Sequence, residues 1–353
     1  MQPAYPSLAP SAARLDQAVD QLVRLIDADS TSGREAPGVD LAAAIAAELG
    51  LQVTRQPVAP QRDNLLVGHP DPAVLLCTHL DTVPPFLPAR RTDGVIHGRG
   101  ACDAKGVAIA MLHALDLARH AAPGVAAACL LVVGEETDHA GARAAVALEQ
   151  LRPRHVILGE PCGMLPAIGQ KGLLKVRLET RGKSGHSAYP ELGVSAVHRL
   201  VTALHDLLST PLPADATLGE STVNVGEVRG GVAANVIAPS AEALVLVRCA
   251  APVDAVLAAL RDRVGAEVKV IELSRAEPLD FDTLGMAGLS GSHAIGPAVP
   301  FNTDASILSA LGAPISLMGP GDMRTAHGEG EHLPIRELAL GIERFAEVLV
   351  RLS

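Results

Sequence analysis

The chain has 353 residues, 48% of them hydrophobic, so it is long enough for two domains that each bury a core. Aromatic residues make up only 2% and the formal net charge is -10 at pH 7, which argues against a nucleic-acid partner. No apolar run is long enough to span a bilayer, the N-terminus lacks a signal-peptide pattern and the five cysteines show no metal-type spacing, so we expect a cytoplasmic protein with no membrane partner.

The first part of the chain alternates helical periodicity with short apolar runs. Helices are predicted at 15–28, 40–49 and 104–120. Buried strands are predicted at 73–78, 125–133 and 155–158. Strands that alternate with helices form an open α/β sheet flanked by helices, and such sheets carry their sites in the loops at the carboxyl ends of the strands. We therefore expect the loops after these three strands to hold the functional residues.

The pattern changes near Gly169, where an alternating, half-exposed strand begins. The segments that follow are predicted as strand 172–180, helix 193–208, strands 221–229 and 241–248, helix 253–263 and strand 266–272. This β-α-β-β-α-β order is that of a ferredoxin-like unit. The α/β pattern then returns, with a strand at 315–318 and a helix at 335–352. The sequence therefore predicts a second domain inserted into the first.

Five side chains of the kind that bind metal ions lie where strands are predicted to end. They are His79, Asp103, Glu136, Glu160 and His327. Imidazole nitrogens and carboxylate oxygens at separate strand ends indicate a site that the fold assembles, because no single local motif supplies all of them. This pattern favours a metal-dependent hydrolase.

Two segments beside these side chains suggest further roles. Asp81 lies two residues after His79 and on the same side of the strand end, so its carboxylate is the expected partner for the second nitrogen of that imidazole. Glu135 and Glu136 are adjacent and point differently. We therefore expect Glu136 to bind metal and Glu135 to act as a general base on water.

Each of these residues also has a simpler interpretation. His79 and Asp81 fit a surface turn, and the adjacent glutamates fit an exposed acidic turn. Asp103 fits a helix N-cap, and the glycine-rich loop around it is a weak candidate for binding phosphate, because its spacing matches no phosphate-binding fingerprint. Lys105 and Lys171 are expected to face solvent or to pair locally.

Taken together, the motifs resemble those of the M20 metallopeptidase family, in order and along nearly the whole chain. The matching segments are His79-x-Asp81-x-Val-Pro, Gly98-Arg-Gly-x-x-Asp103-x-Lys-Gly106, Glu135-Glu136, Gly159-Glu-Pro161 and His327. The resemblance implies a zinc-peptidase-like catalytic domain formed by residues 1–168 and 275–353. It also implies that residues 169–274 form a ferredoxin-like lid through which the chain forms a homodimer.

The resemblance further implies a pair of zinc ions, although Co²⁺ or Mn²⁺ would suit the same ligands. Asp103 would bridge the two ions. Glu136 and His327 would complete the protein ligands of one ion, and His79 and Glu160 those of the other.

The resemblance also implies catalytic roles for two residues. Glu135 would take a proton from the metal-bound water, a step that two adjacent cations assist. His186, in Ser184-Gly-His-Ser-Ala188, would stabilise the oxyanion, and in several members of the family this histidine comes from the partner subunit. The alternative is that His186 is a capping or loop histidine.

Four residues are expected to bind substrate. Asn235 matches an asparagine that contacts substrate in the family, and Arg248, at a strand end, would bind a substrate carboxylate through two hydrogen bonds. The family often has Asp-x-Arg at this point, whereas this chain has Leu246-Val-Arg. Gly319 and Gly321 would offer backbone N–H groups to the same carboxylate.

The branch of the family that fits best hydrolyses a small N-acyl amino acid, as acetylornithine deacetylases do. Thr303-Asp304-Ala305 and Gly319-Pro-Gly-Asp322 favour it, and Asp304 and Glu329 are candidates for binding the ornithine amine. Three enzymatic alternatives remain: a dipeptidase or carboxypeptidase, a succinyl-diaminopimelate desuccinylase, and a hydrolase that uses a single ion. A binding protein that kept the fold without catalysis is a further alternative.

Overall fold

Helices and strands alternate along the computed structural model, which describes residues 8–283 and 294–352. The α-helices are α1 (Ala12–Asp27), α2 (Ala36–Glu48), α3 (Lys105–Ala121), α4 (Ala140–Val146), α5 (Ala196–Ser209), α6 (Val253–Val264), α7 (Ala305–Leu308) and α8 (Ile335–Leu352). The strands are β1 (Val53–Ala59), β2 (Arg62–Gly68), β3 (Val74–His79), β4 (Arg90–Thr92), β5 (Val95–His97), β6 (Ala127–Val132), β7 (His155–Leu158), β8 (Gly169–Gln170), β9 (Gly172–Arg181), β10 (Thr222–Gly230), β11 (Ser240–Cys249), β12 (Val268–Ala276), β13 (Leu279–Asp280), β14 (Ile315–Leu317) and β15 (His332–Pro334). Every segment predicted from the sequence is present, with ends that differ by a few residues.

The chain divides into two units. The first contains the described residues up to Ile168, those between Phe281 and Pro297, and those from Ile307 onward. The second contains Gly169–Asp280 and Ala298–Ser306. It therefore differs from the predicted inserted domain, 169–274, by the segments 275–280 and 298–306.

A six-stranded mixed sheet forms the centre of the first unit, in the order β1-β2-β6-β3-β7-β14. β6, β3, β7 and β14 run parallel to one another, whereas β2 pairs antiparallel with β6 and β1 antiparallel with β2 at one edge. β3, β6 and β7 are buried along their whole length. Uniform burial explains their continuous apolar sequence, because a parallel strand covered on both faces needs no polar side.

Helix α3 is the main packing partner of this sheet. It is buried from Lys105 to Asp116 and contacts β3, β6, α1 and α8. Small Ala and Gly side chains among its aliphatic residues allow that close approach on several sides. The amino end of α3 therefore lies next to the carboxyl ends of the parallel strands, where the candidate site begins.

The second unit is an antiparallel sheet in the order β10-β11-β9-β12, with α5 and α6 packed on one face. β9 and β11 alternate buried and more exposed residues, as one-sided burial requires. The chain order and the strand order match the predicted β-α-β-β-α-β unit. The predicted α/β fold class is confirmed. Among the helices in residues 8–283 and 294–352, none combines the length and apolar content needed to cross a bilayer.

Candidate metal centre

The parallel strands of the first unit bring several predicted site residues to one edge of the sheet. His79 is the last residue of β3 and lies opposite Val132 of β6. On the other side of β3, Cys77 pairs with Leu158 of β7, so Glu160 is level with His79 in the continued register. Glu135 and Glu136 follow β6 by a few residues. The strand-end positions that are far apart in sequence therefore converge within this unit.

His79 is held through both ring nitrogens. Its Nδ1 lies 2.8 Å from the backbone oxygen of Asp81, and its Nε2 lies 3.0 Å from Oδ1 of Asp103. The carboxylate of Asp81 is farther from Nδ1, at 3.6 Å. The backbone oxygen of Asp81 is thus the nearer acceptor for the imidazole, and its carboxylate lies beside the same nitrogen, so the predicted role of the carboxylate as partner of His79 stays a prediction.

The carboxylate of Asp81 instead supports the two adjacent glutamates. Its Oδ1 accepts the backbone N–H of Glu135 at 3.0 Å, and its Oδ2 accepts that of Glu136 at 3.2 Å. The Ser32 hydroxyl also donates to Oδ2, at 2.8 Å. Burial raises the pKa of Asp81, but hydrogen bonds from its neighbours, His79 first, outweigh burial and keep the pKa below its ordinary value.

The turn that presents the glutamates begins at Gly134, whose φ is +79°. A Cβ at this position would lie 2.5 Å from the Arg62 guanidinium, so a side chain is excluded by both conformation and space. Arg62 itself is fixed by a salt bridge of 2.7 Å to the buried Glu35. In the same turn, a ligand atom of Glu135 lies within 4.8 Å of one of His139.

Asp103 occupies the centre of the cluster. Its Oδ1 contacts His79, and its Oδ2 lies 3.2 Å from Nε2 of His327. The same nitrogen of His327 lies 3.0 Å from Oε1 of Glu136. Asp103 is 4% exposed, so its two oxygens face the two imidazoles away from bulk water. One carboxylate therefore joins two imidazoles, each through a different oxygen.

The negative charge of the cluster shows in the pKa values of its histidines. Hydrogen bonds with Asp103 and Glu136 raise the pKa of His327 to about 10. Burial lowers the pKa of His79, but hydrogen bonds with Asp103 and Asp81 outweigh it and raise that pKa well above its ordinary value. The pKa of Asp103 is lowered, against the effect of burial, by both histidines. The cluster therefore favours positive charge on either side of Asp103.

These donor atoms fit divalent cations. Zinc takes imidazole nitrogens and carboxylate oxygens at about 2.0–2.2 Å, so two ligand atoms of a tetrahedral ion lie roughly 3.4 Å apart. The observed contacts around Asp103, 3.0 and 3.2 Å, are only slightly shorter. Donor atoms of His79, Asp103 and Glu136 all lie within 4.8 Å of one another. A small movement of the side chains would admit an ion beside each oxygen of Asp103.

Glu160 and the two glycines on the neighbouring loop have structural contacts of their own. Glu160 is 3% exposed. A Cβ on Gly319 would lie 2.5 Å from the backbone oxygen of Glu160, so glycine is needed there for close packing. The N–H of Gly321 donates to Oε2 of Glu337 at 3.0 Å. The expectation that Gly321 offers this N–H to a substrate is therefore wrong, because the group is already used.

The predicted residues of the second unit lie at two ends of its sheet. His186 and Asn235 come together beyond the Arg181–Ser240 pair. There the backbone N–H of Ser187 donates to the backbone oxygen of Asn235 at 3.0 Å. His186 is exposed, and its ring meets Tyr189 edge-on at a centroid distance of 6.0 Å. Arg248 lies at the opposite end of β11. The unit thus does not bring Arg248 together with the other two.

Three charged residues near the centre were not assigned a site role from the sequence. Lys105 is 1% exposed and its Nζ donates to the backbone oxygen of Ala28 at 2.8 Å, just past the end of α1, while burial lowers its pKa to about 8. The expectation that Lys105 faces solvent or pairs locally is therefore wrong. Arg99 and Glu331 form a buried salt bridge of 2.5 Å beside Asp103. For each of the three, the available signal in the sequence was a charged residue next to a glycine.

Comparison with known families and structures agrees with this centre. Residues 75–351 match the family described as peptidase family M20/M25/M40. A solved structure of a tripeptidase from Staphylococcus aureus superposes with a TM-score of 0.79 at 21% identity, covering 96% of this chain and 98% of that one. At that identity the superposition shows the fold alone.

Two sequence relatives carry different names. A protein of Neosartorya fischeri named "Probable carboxypeptidase" is 33% identical, over 92% of this chain and 84% of the relative. An acetylornithine deacetylase of Myxococcus xanthus is also 33% identical, over 90% of this chain and 92% of the relative. The chain therefore belongs to peptidase family M20/M25/M40, whose members are metal-dependent hydrolases of amide bonds.

Proposed function

We propose that the chain hydrolyses the amide bond of a small N-acyl amino acid, using two zinc ions and Glu135 as general base. The ions would be held by His79, Asp103, Glu136, Glu160 and His327. The observation that carries this proposal is the position of Asp103, whose two carboxylate oxygens each contact a different imidazole, at 3.0 and 3.2 Å. Such a carboxylate is suited to bridging two cations.

When bound, the two cations supply a lowered pKa for water and polarisation of the scissile carbonyl. The residues of the chain contribute positions and protons. Asp81 fixes the backbone of Glu135 and Glu136, and the Glu136 carboxylate contacts His327. The Glu135 carboxylate is proposed to face the attacking water. Glu135 takes the proton that the water loses as the C–O bond forms. It then gives the proton to the nitrogen as the C–N bond breaks, so the amine leaves neutral.

The relatives support two substrate classes. N-acetylornithine is our first candidate, supported by the relative named acetylornithine deacetylase and by the segments Thr303-Asp304-Ala305 and Gly319-Pro-Gly-Asp322. A dipeptidase or carboxypeptidase activity is supported at least as well, since other relatives carry the name carboxypeptidase. N-succinyl-diaminopimelate is a third candidate from the same family. All three substrates have an amide bond next to a free carboxylate.

A substrate panel separates these classes. The zinc-loaded protein would be assayed with N-acetylornithine, N-succinyl-diaminopimelate and simple dipeptides. We expect kcat/KM to be highest for N-acetylornithine, by about tenfold or more over dipeptides, as differential binding of one small group allows. The Glu135→Gln protein, purified in the same way, controls for contaminating hydrolases. A preference for dipeptides would establish the peptidase alternative, and no hydrolysis of any amide would contradict the proposed function.

We also propose that the chain forms a homodimer through its second unit. Arg248 lies about 26 Å from Ser240 along β11, at roughly 3.3 Å per residue, and His186 and Asn235 lie beyond Ser240. A small N-acyl amino acid is much shorter than that. His186 and Asn235 are therefore proposed to serve the site of a different copy from the one that Arg248 serves.

The surface of the second unit offers a place for that copy. β10 is the edge strand of the sheet, and Val228 on it is 55% exposed. On α5, Val201 and Leu208 are 57% and 58% exposed. We expect Val201→Glu with Leu208→Glu to convert a dimer into a monomer, measured by sedimentation, whereas Asp206→Lys, on a different face of the same helix, leaves the mass unchanged. A monomeric wild-type chain would contradict this proposal.

A further inference from the structure

The first unit contains a buried ion pair that the proposed reaction does not use. The side chains of Arg99 and Glu331 are 2% and 0% exposed, and Nη1 of Arg99 lies 2.5 Å from Oε2 of Glu331. Burying two charges is unfavourable unless their remaining hydrogen-bonding groups are satisfied. Nε of Arg99 lies 3.4 Å from the backbone oxygen of Pro85, and the other contacts lie on the two loops that carry Asp103 and His327.

Glu331 organises the loop that leads to Asp103. Its second oxygen, Oε1, accepts three backbone N–H groups, from Gly100 at 2.8 Å, Cys102 at 3.2 Å and Asp103 at 3.1 Å. Amides of one loop that converge on a single oxygen favour negative charge there. The carboxylate thus fixes the backbone of the residue whose side chain lies between the two imidazoles.

Arg99 organises the loop that carries His327. Its Nη2 donates to the backbone oxygen of His327 at 3.2 Å, and its Nη1 lies 3.4 Å from that of Gly328. The φ of His327 is +62°, in the left-handed region that a residue with a side chain seldom adopts. Such a conformation persists only when surrounding contacts hold it. Arg99 supplies one of those contacts directly.

We propose that Arg99 and Glu331 form a clasp that sets the position of Asp103 relative to His327. The clasp thereby controls how tightly the chain holds the more weakly bound of the two cations. The proposal rests on the proposed metal set. Both are positioning residues, since neither is among the proposed ligands. Changes in residues that orient metal ligands typically weaken metal affinity by about 10–100-fold.

The test compares two buried carboxylates changed in the same way. Glu331→Gln keeps the size of the side chain but leaves Arg99 without its counter-ion. Asp116→Asn makes the same change in a second largely buried pair, with Arg14 at 2.6 Å, on the part of α3 remote from Asp103. Zinc binding would be measured in chelator-buffered solutions on the full chain. We expect the dissociation constant of the more weakly bound zinc ion to rise about 10–100-fold in Glu331→Gln. In Asp116→Asn the same constant should rise less than about threefold.

A merely structural pair gives a different result. In that case Glu331→Gln would bind both ions as wild type does, which overturns the proposal. Where the clasp acts through ion occupancy, kcat of Glu331→Gln recovers at high zinc, because the base and the ligands are unchanged. Arg99→Lys keeps the charge but cannot reach Glu331 and the His327 oxygen together, so it provides the same measurement should Glu331→Gln fail to fold.

Amide hydrogen exchange of the metal-free chain separates this inference from the proposed function. We expect the amides of Gly100, Cys102 and Asp103 to exchange at least about tenfold faster in Glu331→Gln than in Asp116→Asn, because each loses its charged acceptor. If these amides exchanged at equal rates in the two variants, the proposed role of the clasp would be contradicted, even if zinc supports hydrolysis. A wild-type chain that binds no zinc would contradict the proposed function, whereas the exchange result would still decide whether Glu331 orders this loop.

Discussion

Changing Glu135 to Gln is expected to lower kcat by roughly 10²–10⁴-fold, the usual contribution of a general base, while zinc stays bound. Gln has the shape of Glu and keeps the backbone N–H bond to Asp81, which is 3.0 Å long. Its amide cannot accept the proton that the attacking water must lose. Steady-state kinetics, together with the metal content of the same preparation, would measure both parts of the prediction.

Two neighbouring changes serve as controls for the Glu135 experiment. Glu136→Gln should lose zinc as well as activity, because Oε1 of Glu136 belongs to the cluster around His327. Glu149→Gln, on an exposed carboxylate, should change neither. If Glu135→Gln kept wild-type activity with zinc bound, Glu135 would not be the base. If it lost zinc, its role would be that of a ligand. Full metal binding without hydrolysis by wild type would favour a binding protein.

The positions of the strand ends could be predicted because three strands are buried throughout and mostly apolar. β3, β6 and β7 are buried on both faces, and this leaves a sequence signal that is independent of the rest of the chain. Parallel neighbours end at the same edge of a sheet. The polar residue that follows each apolar run was therefore expected at one edge of the sheet, where Glu160 continues the register level with His79.

The β1–β2 hairpin gave no such signal. β1 is an edge strand with Pro57 inside it, and its register with β2 shifts between Pro57 and Ala59. Proline cannot donate a ladder hydrogen bond, so within sheets it is tolerated only at edges and bulges. A proline inside an apolar run therefore argues against predicting a strand there. β4, β5 and β15 have three residues each, which is too short for any period to show.

The supporting contacts of the centre were beyond prediction for a different reason. The carboxylate of Asp81 reaches amides more than fifty residues away, and Glu331 reaches amides more than two hundred residues away. Nothing in the local sequence specifies such partners. A sequence shows that a buried loop contains a charge, but the identity of the group that satisfies the charge depends on how the loops pack. For this reason the candidate ligands were predictable and the residues that position them were not.

Changing Asp103 to Asn is expected to have the largest effect of any single substitution in the centre. Asn keeps one carbonyl oxygen but replaces the other with an N–H group and removes the negative charge. The contact with His79 or with His327, now 3.0 and 3.2 Å, would then lack a carboxylate oxygen. A neutral amide cannot bridge two cations. We expect at least one ion to be lost and kcat/KM to fall by roughly 10³-fold or more, the equivalent of several kcal/mol of lost carbonyl polarisation.

Zinc titration of the metal-free chain tests this expectation without relying on hydrolysis. An ion that binds only the folded state stabilises it by about 2.7 kcal/mol when its concentration is 100 times its dissociation constant. The midpoint of thermal unfolding of wild type should therefore rise with zinc, and that of Asp103→Asn should rise much less. Asp116→Asn, the same change remote from the centre, should show the full rise.

The titration also counts the ions. Activity of wild type should reach its plateau near two equivalents of zinc per chain, because the two oxygens of Asp103 serve two separate imidazoles. A plateau at one equivalent would favour a hydrolase that uses a single ion. Wild-type zinc affinity in Asp103→Asn would exclude Asp103 as the bridge, since the carboxylate that contacts both His79 and His327 would then be dispensable for binding either ion.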